Sequence, residues 1–241
     1  MTDWFIPGAW LASISGKTLL YPCGGMDWAE PIDIFSNYVS DFIFSDINYP
    51  QGLKLTPATG NDFKLTGSLI EGDPKSTMER RRENEFWFRH LSPSVLVERY
   101  ERHVDGRAIT VKRRRGFGQY AIRDLPDRSL GVFMHRGDSP GEAGSNVFFL
   151  ANKIRRHEPC SRLLEKIEAK FADQAIVLSD GSNSRLKFLR KYHNSPMLGP
   201  DAWAAMGGKR FLTANFSWEC IGFAGRRYGP TLAWGLTRTT F

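Results

Sequence analysis

Acidic side chains recur where apolar runs stop. Asp46 closes the run Asp41-Phe42-Ile43-Phe44-Ser45, and Asp180 closes Ala175 to Ser179 just before Gly181-Ser182-Asn183. Asp138, Ser139 and Glu142 lie in a loop bracketed by Gly137 and Gly144, directly after the run Ser129 to Met134. Cys23, Gly24, Gly25 and Asp27 follow the short run Thr18 to Tyr21. Carboxylates gathered in one place repel one another unless cations or hydroxyl-rich ligands relieve them, and glycines let a ligand approach the main chain closely. Asp138, Glu142 and Asp180 are therefore the candidate catalytic carboxylates. Each position also has an ordinary use. Asp46 can cap the loop into Ile47-Asn48-Tyr49, Asp27 precedes Trp28 as a helix N-cap would, and Asp180-Gly181 suits a turn with a positive φ at glycine.

A second chemistry lies in the basic clusters. Arg80, Arg81 and Arg82 suit an anionic partner, but they are flanked by Glu79, Glu83 and Glu85, so much of that charge can instead be neutralised along one solvated helix face. Lys112, Arg113, Arg114 and Arg115 have no acidic neighbours and run into Gly116-Phe117-Gly118. That pattern fits contact with phosphate, with aromatics such as Trp87 available to stack bases. The five histidines show no metal-ligand spacing, and only His135 falls beside the acid-rich strand ends, where it reads either as a base or, as is commoner at a strand end, as a histidine that satisfies backbone carbonyls. Cys23 reads either as a thiol activated by a following helix N-terminus or as a small buried hydrophobe. Cys23, Cys160 and Cys220 are an odd number, far apart and without a C-x-x-C pair, which predicts neither a disulfide framework nor structural zinc.

The elements that must position these groups alternate. Thr18 to Tyr21 reads as a buried strand stopping at Pro22-Cys23-Gly24-Gly25, and Trp28 to Ser40 carries Ile32, Ile34, Phe35, Tyr38 and Val39 at near-helical spacing. Asp41 to Asp46 is a second buried strand. Strand, glycine turn, helix, strand and acid open a Rossmann-like unit. Gln51 to Glu85 shows no sustained period and reads as an irregular insertion, although Phe63 to Ile70 alternates like a strand. Ser92-Pro93 looks like a helix start, with Val95, Leu96 and Tyr100 to bury. Arg107 to Lys112, Ser129 to Met134 and Ala175 to Asp180 are further strands. Val147 to Ile154 and Ser161 to Phe171 read as helical, and Phe216 to Phe223 with Thr231 to Leu236 form a hairpin-like tail.

Composition sets the outer limits. At roughly 150 residues per domain, 241 residues fit one large domain or two small ones, and we expect one domain over residues 1–241 with an insertion at 51–85. With 41% hydrophobic and 13% aromatic residues the chain can bury a full core. The formal net charge of +7 favours an anionic partner. No run approaches the roughly 20 uninterrupted apolar residues that a bilayer crossing needs, and Met1 to Gly16 lacks the basic start of a secretory signal, which predicts a cytoplasmic chain without membrane contact.

This order of elements, with its closing hairpin, resembles the class I S-adenosylmethionine-dependent methyltransferases. In that family the first strand ends in a glycine-rich turn that supports the methionine part of the cofactor, and Tyr21-Pro22-Cys23-Gly24-Gly25-Met26-Asp27 stands in that place. The family's second strand ends in an acid that binds the ribose hydroxyls, and Asp46 is the matching position. Leu130 to Met134 and Ala175 to Leu178 would be the fourth and fifth strands. The resemblance implies an α/β fold: a single Rossmann-like domain with a mainly parallel sheet and a C-terminal antiparallel hairpin. It implies S-adenosylmethionine as cofactor, held by Cys23, Gly24, Gly25, Asp27 and Asp46. The sequence departs from the family in lacking the full run of alternating glycines after the first strand, and in following the fourth strand with Arg136-Gly137-Asp138-Ser139. The other reading is a non-methylating Rossmann-like protein that binds a nucleotide or nucleic acid through Lys112, Arg113, Arg114 and Arg115.

Overall fold

Apolar runs in this chain become strands wherever both faces can be covered. The computed structural model describes residues 4–22, 24–25, 27–46, 64–72, 94–104, 107–115, 121–122, 125–136, 167–182, 184 and 186–239. They form eleven strands in one sheet: β1 (Trp4–Phe5), β2 (Thr18–Pro22), β3 (Asp41–Asp46), β4 (Lys64–Gly72), β5 (Ser94–Val104), β6 (Arg107–Arg115), β7 (Leu130–His135), β8 (Phe171–Ser179), β9 (Arg210–Leu212), β10 (Phe216–Arg226) and β11 (Pro230–Arg238). Among the described residues the α-helices seen end to end are α1 (Gly8–Ser13), α2 (Ala29–Phe35) and α3 (Gly199–Met206), with a 3₁₀ turn at Leu189–Tyr192. Among the described residues no helix is long and apolar enough to cross a membrane.

The strand order is β1-β10-β11-β8-β7-β2-β3-β6-β5-β4, with β9 paired to β10. At its centre β6, β3, β2, β7 and β8 are parallel neighbours. β7 is buried along its whole length and β2 along all but its first residue, as expected of parallel strands covered on both faces. Successive residues enter different cores. Leu19, Tyr21, Val132, Met134, Ile176 and Leu178 meet α1 and α2 through Leu11, Ile14, Ile32 and Phe35. Leu20, Phe133, Ala175 and Val177 meet α3 and the 3₁₀ turn through Ala202, Met206 and Leu189. Pro31 sits in the first turn of α2, where its missing N–H removes no helical bond.

The expectation of a mainly parallel sheet is corrected: the sheet is mixed. β5 pairs antiparallel with both β4 and β6, and β11 pairs antiparallel with β8 and β10, so antiparallel strands flank the parallel block on both sides. One cause is the segment read as a helix after Ser92-Pro93. From Ser94 onward it is an eleven-residue strand. Val95 and Val97 are stiff, β-branched residues that suit a pleated strand, and the close connection to Arg107 lets the segment fold back on β6 with Tyr100 opposite Val111. The insertion at 51–85 contains the nine-residue strand β4, so it is not irregular throughout. Residues 167–170 are helical, as the spacing suggested, but Phe171 already belongs to β8. The proposed helix Val147 to Ile154 lies outside the described residues.

The hairpin expected at the C-terminus is β10–β11, and it carries an aromatic cluster. Trp234 is fully buried, with the rings of Phe188 at 5.1 Å and Phe211 at 5.9 Å. Replacing Trp234 by Ala removes this filling from between β11 and the 3₁₀ turn and should cost about 3 to 5 kcal/mol. Urea unfolding of the Trp234→Ala variant measures the loss. A loss below about 1 kcal/mol would show that this face of the sheet is not closely packed.

Candidate functional site

The parallel strands all end at one edge of the sheet. β10 joins them there, because it is antiparallel to β11, which is itself antiparallel to β8. Chain order reverses between β2 and β7: β3 lies on one side of β2 and β7 on the other. A crevice at such a reversal is left uncovered because the connections leave in opposite directions. Here it is an open cleft of about 400 Å³ lined by Gly24, Asp27, Glu30, Arg136, Arg226 and Arg227.

Its floor is built on Arg136, the residue after β7, whose side chain is only 2% exposed. Its guanidinium pairs with Asp27 and lies 2.6 Å from Glu30 on α2. Burial opposes its charge, but Tyr21, Asp27 and Glu30 outweigh that and hold its pKa above the ordinary arginine value. The Tyr21 hydroxyl at the end of β2 is a hub. It donates to Asp27 Oδ2 at 2.9 Å and accepts from Arg136 Nε at 3.4 Å and from Arg227 Nη1 at 3.3 Å. Burial, aided by Asp27, raises its pKa against the pull of the arginines, so it stays protonated and able to donate. Gly225 makes room for the cluster. It sits at a bulge in β10 with φ +60°, and a Cβ there would collide with the Glu30 carboxylate and come within 2.8 Å of Arg136 Nη1.

Two of the residues expected in a cofactor site lie together beside this cleft. Gly25, with φ +54°, donates its backbone N–H to Asp46 Oδ2 at 2.9 Å, so the carboxylate ending β3 fixes the glycine turn ending β2. Gly24 lines the cleft itself. Asp27 does so too, but not as a helix cap: the residue before α2 is Trp28, and Asp27 is spent on Arg136 and Tyr21. Cys23 lies outside the described residues, as do Asp138 and Glu142.

Asp180 is described and does not line the cleft. It is 1% exposed, accepts from Ser182 N at 2.9 Å and from the Ser182 hydroxyl, and takes Tyr228 N at 3.3 Å. That use is a turn of the kind the sequence allowed, extended to pin the β10–β11 hairpin. The basic run Lys112 to Arg115 ends β6, which β3 separates from β2. Within it Arg113 is 2% and Arg114 8% exposed, while Lys112 is half-buried.

Arg136, Glu30, Tyr21, Arg226 and Arg227 were not singled out from sequence. The signal open to a reader was positional: each arginine follows directly on, or closes, a strand that ends at this edge. No protein-family model, curated protein or solved structure matches the chain. The fold and its cleft define an α/β protein with a mixed sheet and a charged crevice at its point of strand reversal.

His135 is fully buried at the end of β7, with Nδ1 2.9 Å from Ser179 Oγ. Burial pushes its pKa down to about 4; Asp180 opposes the shift and His193 adds to it. The neutral ring therefore belongs to the folded state, while the unfolded chain takes up the proton near pH 6.5. The folded protein should lose stability as pH falls from about 6.5 towards 4, by on the order of 3 kcal/mol from this group alone. Urea unfolding at several pH values in wild type and His135→Gln isolates the term. Identical pH slopes in the two proteins would show that His135 does not titrate with unfolding.

Proposed function

We propose that the chain is a methyltransferase-like enzyme, built as a single Rossmann-like domain, that binds S-adenosylmethionine at the carboxyl edge of its sheet. The observation that carries this reading is the position of the cleft, between Gly24 after β2 and Arg136 after β7, where the strand order reverses. Numbered in chain order, the parallel block runs third, second, first, fourth, fifth. That is the arrangement of doubly wound nucleotide-binding sheets, and the closing hairpin β10–β11 stands beside the fifth strand.

The residues present suit the cofactor's chemistry. S-adenosylmethionine combines a sulfonium and an ammonium cation with a carboxylate and a ribose diol, and it supplies an activated methyl group. The cleft has a net negative floor, where Asp27 and Glu30 pair with Arg136, and guanidinium groups at Arg226 and Arg227, and beside it stands the acid Asp46 against a glycine turn. Its volume lies within the range of small-molecule pockets. Gly24 and Gly25 allow close approach to the main chain, and Asp46 accepts from the ribose hydroxyls. Methyl transfer needs little covalent help from a protein, chiefly a fixed line between donor and acceptor, and a floor of interlocked charges gives that rigidity.

Calorimetry with S-adenosylmethionine and with its demethylated product tests the reading, and both should bind. Asp46→Asn retains an oxygen for the Gly25 N–H, so its melting temperature should stay near wild type. It weakens charge-assisted bonds to the ribose worth about 1.5 to 3 kcal/mol each, so affinity should fall roughly ten-fold or more. Folded protein that gives no heat with either ligand would remove the proposed function.

A further inference from the structure

The charges of the cleft do not cancel, and the excess has a place. Three arginines face two carboxylates, and both carboxylates are committed to Arg136. Arg226 and Arg227, at the tip of the β10–β11 hairpin, are exposed. Among the described residues each donates to a neutral acceptor, with Asp27 near Arg227 but not paired to it. Arg226 Nη2 donates to the Ser195 carbonyl at 3.1 Å and Arg227 Nη1 to the Tyr21 hydroxyl at 3.3 Å, and among the described residues neither forms a salt bridge. A guanidinium carries five N–H donors in a planar fork, so one bond to a neutral oxygen leaves most of its capacity unused.

The mount beneath these two side chains is rigid. Tyr228 N donates to the buried Asp180 carboxylate at 3.3 Å, Asn194 N donates to Tyr228 O, and Arg227 N donates to Gly229 O at 3.2 Å. The bulge at Gly225 sets the direction of the tip. Gly229, at φ +147°, lies against the Tyr192 carbonyl so closely that a Cβ would overlap it. A turn held at this many points loses little freedom when a ligand arrives, which is how fixed donors gain affinity.

We infer that Arg226 and Arg227 form an oxyanion clamp that takes a carboxylate or phosphate group of a small molecule entering the cleft. Naming that molecule as the methyl acceptor rests on the function proposed above, whereas the clamp itself does not. A small molecule fits better than nucleic acid. The cleft holds about 400 Å³, and the arginines that would extend a phosphate track, Arg113 and Arg114, are buried on β6, which five strands separate from β10.

The test follows the melting temperature of wild type and of an Arg226→Gln, Arg227→Gln double variant against pyrophosphate and, separately, citrate, at constant ionic strength. Wild type should show a saturable rise with at least one probe, and which probe is favoured tells phosphate from carboxylate. In the double variant the half-saturation point should move up roughly ten-fold or more, because charge-assisted contacts are lost. An Arg226→Lys, Arg227→Lys variant keeps the charge without the fork and should fall between the two, which separates loss of recognition from loss of fold. Equal responses in wild type and the Gln variant, or no saturable rise in wild type, would overturn the clamp. So would a single-stranded oligonucleotide that binds through these arginines far more tightly than either probe. If S-adenosylmethionine gives no heat while the probe response depends on both arginines, the methyl-transfer reading fails and the clamp stands.

Discussion

The buried guanidinium of Arg136 ties together the parts of the molecule that meet at the open edge. It follows β7, pairs with Asp27 in the turn after β2 and with Glu30 on α2, contacts the Tyr21 hydroxyl, and reaches the Ala224 carbonyl of β10 at 3.5 Å. A cation taken out of water is tolerated only when partners satisfy its donors, and here those partners come from both sides of the strand reversal. Withdrawing Arg136 itself would leave the Asp27 and Glu30 carboxylates together with no cation between them. The cluster therefore fixes the spacing of β2, β7 and β10 at the edge.

That constraint shapes the cleft. Because Asp27 and Glu30 are occupied below, the cleft has a floor carrying one net negative charge and a rim carrying two positive ones, a division suited to ligands that bear both signs. Asp180 extends the same logic sideways. Its buried carboxylate takes Tyr228 N and so holds the hairpin tip over the floor. The His135 to Ser179 contact, with Gly181 N donating to Ser179 Oγ at 3.0 Å, closes the ends of β7 and β8 beside it.

The sheet around the edge divides its work. The parallel block supplies strand ends that point the same way, which is what gathers turns and charges on one side. The antiparallel strands on each flank extend the sheet by local pairing, as β5 does with β6 across a short connection. β10 serves both roles. It belongs to the closing hairpin, yet it runs in the direction of the parallel strands and so delivers Arg226 and Arg227 to the shared edge.

Much of the central architecture was legible in the amino-acid order. Strands buried on both faces must be continuous apolar runs, so β2, β3, β7 and β8 stood out, and β3 was bounded correctly at Asp41 and Asp46. The glycine turn and the acid of β3 were legible for the same reason, since each directly follows or ends such a run. The strand β5 was not, because Val95, Leu96 and Tyr100 fit either period and only pairing with β6 decides between them. The arginine cluster was hidden more deeply. Tyr21, Glu30, Arg136 and Arg227 are spread over more than two hundred residues, and nothing in their local neighbours marks them as partners. Local sequence determines which segments are strands, but which strand ends become neighbours depends on how the crossovers order the sheet, and that order alone placed these charges in one cleft.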